Sequence, residues 1–421
     1  MVFPGDRAST SSGINKDSLT NKRSSADDLA LAKELTSLIE QAAGYSDVGE
    51  GVTRLGLSRA HRHFLDWLQK LSSDCGYEFS IDHSGNARIK KYAVKASAGT
   101  LLFGGHQDSA INGCRHAGIL GVLLPLLAFK NAQSLPVHIE IIALADGLGA
   151  RFNSTLLSAS VLAGNDIASS FKRIDDAGIS YSNALKNFGC NPPRPDKWVL
   201  AKDRYLGFIE IDIEQHSMLQ NMNLPVALVG SITGIERFSI TVSHSTANSA
   251  SRQDALTAAA GVIAWLDQLC EGMAQLEYVA GKWEVKPNTV NIAPKSVSMT
   301  VELRSPNPGV QAQVRQGFEE HLNAIPGLAY ECVYSNQGVD CDQALTDKVG
   351  SAIAEVADAH HILFSAGAHA CLELASVLPS TVLLLRARED ELCGWQVDEQ
   401  DCAMSLAILK KIPQLCANDD R

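Results

Sequence analysis

The chain has 421 residues, 45% of them hydrophobic, with 36 Lys and Arg against 47 Asp and Glu for a net charge of −11. That length leaves room for two domains with cores of their own. The acidic balance argues against nucleic acid and anionic membrane surfaces as partners, because both select basic patches. No run of 18 or more apolar residues occurs, so no membrane-spanning helix is expected. Ten cysteines without a CxxC pair, in a chain too large to need disulfide staples, imply reduced thiols and a cytoplasmic location.

Residues 1–26 are rich in Ser, Asn, Lys and Asp and lack an apolar core, which predicts a disordered tail and not a secretory signal. Asp27 or Asp28 is then placed to cap a helix DDLALAKELTSLIEQAA, and a second helix follows in SRAHRHFLDWLQKLSSDCG. The Gly85-Asn86 pair between two alternating runs signals a hairpin. Between Thr100 and Ala150 the chain reads as strand (TLLFGG), polar loop, apolar helix (GILGVLLPLLAF) and strand (VHIEIIALA). A βαβ unit of this kind buries both faces of its sheet, so its chemistry collects in loops at the carboxyl ends of the strands. Those loops carry His106, Asp108, Cys114, Arg115 and His116 after the first strand and Asp146 after the second. A strand then runs through YLGFIEIDIEQH. Residues 238–336 follow the order βαββαβ, that of a ferredoxin-like sandwich.

The segments GGHQD, NGCRHAGILGV and LADGLGARFNSTLL resemble the metal-site segments of the M20 amidohydrolases, the group holding allantoate amidohydrolase, N-carbamoyl-L-amino-acid hydrolase and β-ureidopropionase. The resemblance implies an α/β fold: an M20-type mixed-sheet catalytic domain from 28–230 plus 339–421, with an inserted ferredoxin-like (βαββαβ) lid and dimerisation domain at 231–338. It also implies a homodimer. Of the five ligand positions of the family's metal pair, His106 keeps a ligand of the expected type. The others fall on Ala117, Leu148, Asp212 and Trp395, and the family's catalytic glutamate falls on Gly147. A methyl and an isobutyl group cannot bind zinc, so no cofactor is expected, zinc and manganese included. In the lid, the family's oxyanion-binding His falls on Ser249.

What the comparison preserves is a carboxylate pocket. Gln215, Asn291 and Arg304 match substrate-binding positions, and a planar guanidinium suits a carboxylate because it pairs with both oxygens. For Arg304 the alternative is a structural ion pair. His106, Asp108, His116, Asp212 and His369 are the candidate acid/base residues of the emptied site; the alternative for His106 is a relic packed at a strand end, and for Asp108, His116 and Asp212 a solvated or hydrogen-bonded loop residue. Cys114 and Cys393 read as buried thiols.

Three functions follow from this reading. The first is a metal-independent enzyme performing condensation, cyclisation or lyase-type chemistry on an amino-acid-like carboxylate, in a biosynthetic setting. The second is an inactive pseudoenzyme or partner subunit of an active hydrolase. The third is a hydrolase of amide or ureido C–N bonds, which would need His106 and Asp212 to recruit a metal.

Overall fold

In the computed structural model the described residues are 24–417, apart from 48, 166, 191–198, 244–253, 274, 358 and 391–393. The expected tail lies outside them up to residue 23, as do Ser249 and Cys393. The described chain divides into two compact units. One holds Ser231–Val339 with Ser365–Ala368, and the other holds the rest.

Taken in chain order, the strands are β1 (Glu78–Ile81), β2 (Ala87–Lys91), β3 (Thr100–His106), β4 (His138–Leu144), β5 (Tyr205–Glu214), β6 (Val226–Ile232) and β7 (Gly234–Ser243). They continue with β8 (Glu277–Lys286), β9 (Ser296–Ser305), β10 (Leu328–Asn336), β11 (Val339–Asp340), β12 (Ile362–Ser365), β13 (Ser380–Asp390) and β14 (Gly394–Val397). The large sheet has the order β1-β2-β4-β3-β5-β13-β6-β11, with β12 on β6 and β14 on β13. It is mixed: β3 runs parallel to β4 and β5, and β5 parallel to β13, whereas β2 opposes β4 and β6 opposes β13.

Both faces of the central strands are covered, so β3 and β4 are buried at consecutive positions and not at alternating ones, with buried Glu140 of β4 paired to Arg88. The helix Leu120–Phe129 is buried along its whole length and packs on β3. Glycine makes that approach possible. A Cβ on Gly121 would fall 2.5 Å from the Gly104 carbonyl oxygen and 2.7 Å from that of Ile211, so helix and strand backbones meet with no side chain between them.

The helix Ala26–Ala43 packs against Glu399–Ala417, and both pack on the Leu120–Phe129 helix. The cap of Ala26–Ala43 differs from the expectation: Ser25 is the N-cap, accepting from the Asp28 amide, while the Asp28 carboxylate accepts from the Ser25 amide. Asp28 thus occupies the third helical turn position of a capping box and not the cap itself.

The smaller unit runs β7, helix Ala255–Glu271, β8, β9, helix Pro308–Asn323, β10 and closes an antiparallel sheet of order β10-β7-β9-β8. Phe238, Ile240 and Val242 of β7 meet Val262 and Leu266 of one helix and Val314 and Phe318 of the other in its core. The chain is therefore a mixed-sheet α/β domain carrying an inserted ferredoxin-like domain.

Candidate active site

The carboxyl ends of β3 and β5 bring together five titratable side chains. His106 closes β3. Its Nδ1 lies 2.8 Å from the Asp108 carbonyl oxygen, so the ring donates from Nδ1 and presents Nε2 as its second nitrogen. Asp108 is buried and its carboxylate is gripped from the next strand's loop: the Gly147 amide donates to Oδ1 at 2.8 Å and the Leu148 amide to Oδ2 at 3.0 Å. Burial alone would lower the His106 pKa. The hydrogen bonding and charge of Asp108, with the charge of Asp212, outweigh it and raise the imidazole to about 9.

In β5 the alternation Ile-Glu-Ile-Asp-Ile-Glu puts Glu210, Asp212 and Glu214 on one face of the strand. Asp212 Oδ1 accepts from the Gly118 amide at 3.3 Å and from its neighbour Ile213 at 2.9 Å. Glu210 is buried and accepts from the Ala370 and Cys371 amides at 3.0 and 2.9 Å. Burial raises its pKa first of all, and the charge of Asp212 adds to that. His369 faces both carboxylates, its Nδ1 standing 3.9 Å from Glu210 and 3.7 Å from Asp212.

Glu210, Asp212 and His369 form a group whose ligand atoms all lie within 4.8 Å of one another. Glu210 was absent from the candidates drawn from sequence. The period-two spacing with Asp212 was the signal that could have found it.

Other expected residues lie elsewhere or play different parts. His116 is buried, and the charges that act on it are Glu40, Arg115 and Asp390. That sets it apart from the cluster. Gln215 is exposed, and Glu214 spends its carboxylate on the amides of His216 and Leu219.

Asn291 and Arg304 do not meet within one chain. Arg304 sits at the far end of β9, paired with Ile235 and Glu277, while Asn291 is in the loop leading into Ser296 at the near end. Eight residues at about 3.3 Å each separate Ser296 from Arg304, roughly 26 Å. The Arg304 guanidinium is also engaged: Nε donates to Glu302 at 2.8 Å, Nη2 lies 2.6 Å from the same oxygen and Nη1 donates to the Ala366 carbonyl at 3.1 Å. The structural ion pair named as its alternative is present.

Ala117, Trp395 and Cys114 pack against the hydrophobic core, and the Cys114 thiol donates to the Trp395 carbonyl. Leu148 takes part through its backbone amide. Gly147 leaves little room for a larger residue, since a Cβ there would fall 2.6 Å from His106 Cβ.

No protein-family model matches the chain. It is 26% identical over 376 residues to an N-carbamoyl-L-amino acid amidohydrolase of Geobacillus stearothermophilus, covering 85% of this chain and 92% of that one. It is 25% identical over 403 residues to an allantoate deiminase of Arabidopsis thaliana, covering 85% and 77%. A hydantoinase/carbamoylase-family amidase of Burkholderia vietnamiensis superposes with a TM-score of 0.82 at 21% identity over 92% of this chain and 97% of that one. A dinuclear metal-binding M20 peptidase of Bacillus subtilis superposes with a TM-score of 0.55 at 11% identity over 91% and 98%. Most of this chain is thus similar to amidohydrolases of N-carbamoyl amino acids and of allantoate.

Two expectations fall with that result. A metal-independent condensing, cyclising or lyase-type enzyme, or a pseudoenzyme, conflicts with the similarity of most of the chain to amidohydrolases. The expectation of no zinc or manganese conflicts with a metal-binding M20 neighbour and with the Glu210, Asp212 and His369 group. The substitutions at Ala117, Leu148 and Trp395 misled because they remove the M20 ligands the sequence comparison knew about. Of the Glu210, Asp212 and His369 group, only Glu210 was missing from the candidates drawn from sequence.

A metal fits that group. Zinc at about 2.0–2.1 Å from tetrahedral ligands sets those ligands roughly 3.3 Å apart, and the imidazole already stands 3.9 and 3.7 Å from the two carboxylates.

Proposed function

We propose that the chain hydrolyses C–N bonds of N-carbamoyl or ureido acids, small molecules that carry a carboxylate. One observation carries the reading. The His106, Asp108, Glu210, Asp212 and His369 cluster stands at the carboxyl ends of β3, β5 and the loop before β13, in a chain similar over most of its length to amidohydrolases of such substrates.

A divalent ion held by Glu210, Asp212 and His369 would supply an activated water and polarise the scissile carbonyl. The remaining work falls to the chain. His106 presents Nε2 as the site that holds or hands on a proton, and its Nδ1 contact with the Asp108 carbonyl fixes which nitrogen that is. Asp108, clasped by the amides of Gly147 and Leu148, holds the loop that orients the ring. Arg304 is the carboxylate-binding candidate, having two of its five N–H groups beyond those spent on Glu302 and Ala366. A homodimer and a lid role for residues 231–338 belong to the same reading.

The test is ammonia release from N-carbamoyl-L-amino acids and allantoate by purified protein loaded with Zn²⁺ or Mn²⁺. Turnover that Asp212→Asn reduces by at least a hundredfold is expected. Absence of turnover on every N-carbamoyl and ureido acid would overturn the reading.

A further inference from the structure

We infer that this chain binds a single divalent ion per active site, held by Glu210, Asp212 and His369, and not an ion pair. The inference rests on the hydrolase reading above for its context but on separate observations for its content.

The first observation is the donor set. Two carboxylates and an imidazole, with ligand atoms within 4.8 Å of one another, form a three-ligand site that leaves a coordination position for water. Mixed carboxylate and imidazole donors suit Zn²⁺ and Mn²⁺.

The second observation is how these side chains are held. Each Glu210 oxygen accepts one amide hydrogen, from Ala370 or Cys371, and retains a further lone pair. Asp212 Oδ1 is held by the Gly118 and Ile213 amides, while Oδ2 is the oxygen nearest His369. Ligand carboxylates are ordinarily oriented by outer hydrogen bonds of this kind. Glu210 and Asp212 present two carboxylates on one strand face, a donor set that matches a divalent cation.

The third observation concerns the place of a second ion. The bridging and far-side ligand positions that the family resemblance implies for a second ion fall on Ala117, Leu148 and Trp395. Ala117 and Trp395 instead pack against the core beside Cys114. An ion there would face a methyl, an isobutyl group and an indole, none of which can replace its water.

The experiment uses the full chain, stripped with a chelator and titrated with ZnCl₂ or MnCl₂. Metal content after gel filtration is read by emission spectroscopy and affinity by calorimetry. One equivalent per chain is expected, with affinity falling at least tenfold in Asp212→Asn and in His369→Gln. Glu210→Gln should behave alike. Because Glu210 also anchors the amides of Ala370 and Cys371, circular dichroism checks its fold, and the other two variants decide if it unfolds.

Two equivalents, none, or one equivalent indifferent to Asp212→Asn and His369→Gln would each overturn the assignment. The outcomes separate the two proposals. One ion bound through these groups without hydrolysis of any N-carbamoyl or ureido acid removes only the hydrolase reading, and hydrolysis with two ions removes only the single-ion site.

Discussion

Replacing Gly118 by alanine tests whether the His106 ring is held where the site needs it. Gly118 has φ of +69°, a left-handed conformation, and a Cβ built there falls 2.4 Å from both Cε1 and Nε2 of His106. The backbone term alone costs about 1–2 kcal/mol for an L-residue. Relieving the contact to an ordinary 3.4 Å means moving the ring by about 1 Å, enough to lose the 2.8 Å bond from Nδ1 to the Asp108 carbonyl. That loss adds about 0.5–1.5 kcal/mol. The sum, about 1.5–3.5 kcal/mol, should appear as a lower midpoint in urea unfolding of Gly118→Ala followed by circular dichroism. Hydrolysis of N-carbamoyl acids should fall further than stability suggests, by tenfold to a hundredfold, because a displacement of about 1 Å in a reacting group can cost that much. An unchanged midpoint with an unchanged rate would show that the ring does not lie over Gly118 in the working protein.

Burial, with the charges of Arg54, Arg62 and Arg151 beyond it, holds His61 well below its ordinary value of 6.5. A depressed histidine leaves the unfolded chain binding the extra proton, so stability should fall as pH drops below 6.5, by at most about 1.4 kcal/mol per pH unit. Urea titrations from pH 7.5 to 5 should show that slope and a shallower one in His61→Gln; equal slopes would remove His61 as the cause. Lys410→Met should shift the acid limb of the stability curve. The Lys410 ammonium helps to hold Asp28 below its usual range, so the bridge stabilises above about pH 4 and is lost as the pH falls through the lowered value. With Lys410 one-third exposed the effect should stay below about 1 kcal/mol. Arg304→Ala leaves buried Glu302 with Arg237 as its partner. It should cost about 1.5–3 kcal/mol in the inserted domain and, if Arg304 also binds the substrate carboxylate, weaken amino-acid-derived ligands at least tenfold by calorimetry; loss of stability with unchanged binding leaves Arg304 a structural residue.

Much of the fold was legible because it follows from burial and periodicity. β3 is apolar over Leu101–Gly105 and β4 over Ile141–Leu144, the Leu120–Phe129 helix is apolar all round, and the order of elements in 231–339 has few packings that bury both helices on one sheet. The cap of the first helix was placed late because two acidic residues at the start of an apolar pattern mimic an N-cap. Ser25, one residue before the helix, makes the capping bond, and Asp28 answers it from the third position.

The site was legible only in part, and the division has a physical cause. His106 and Asp108 are found from sequence because one ends and the other follows a strand that hydrophobic pattern locates, and Asp212 because a ligand position of the resembled family falls on it. Glu210 was passed over because a carboxylate inside a strand reads as an outward-facing residue until the sheet is known to be covered on both faces. The pairing of β5 between β3 and β13 is what buries it and turns it toward His369. His116 shows the converse. Two residues beyond a loop cysteine and beside a strand end, it looked like part of the cluster, yet side-chain direction in a loop is set by contacts that spacing does not encode. The same limit applies to Asn291 and Arg304, which belong to one strand and its preceding loop but to opposite ends of it. Strand length, about 3.3 Å per residue, separates them more surely than any motif can unite them.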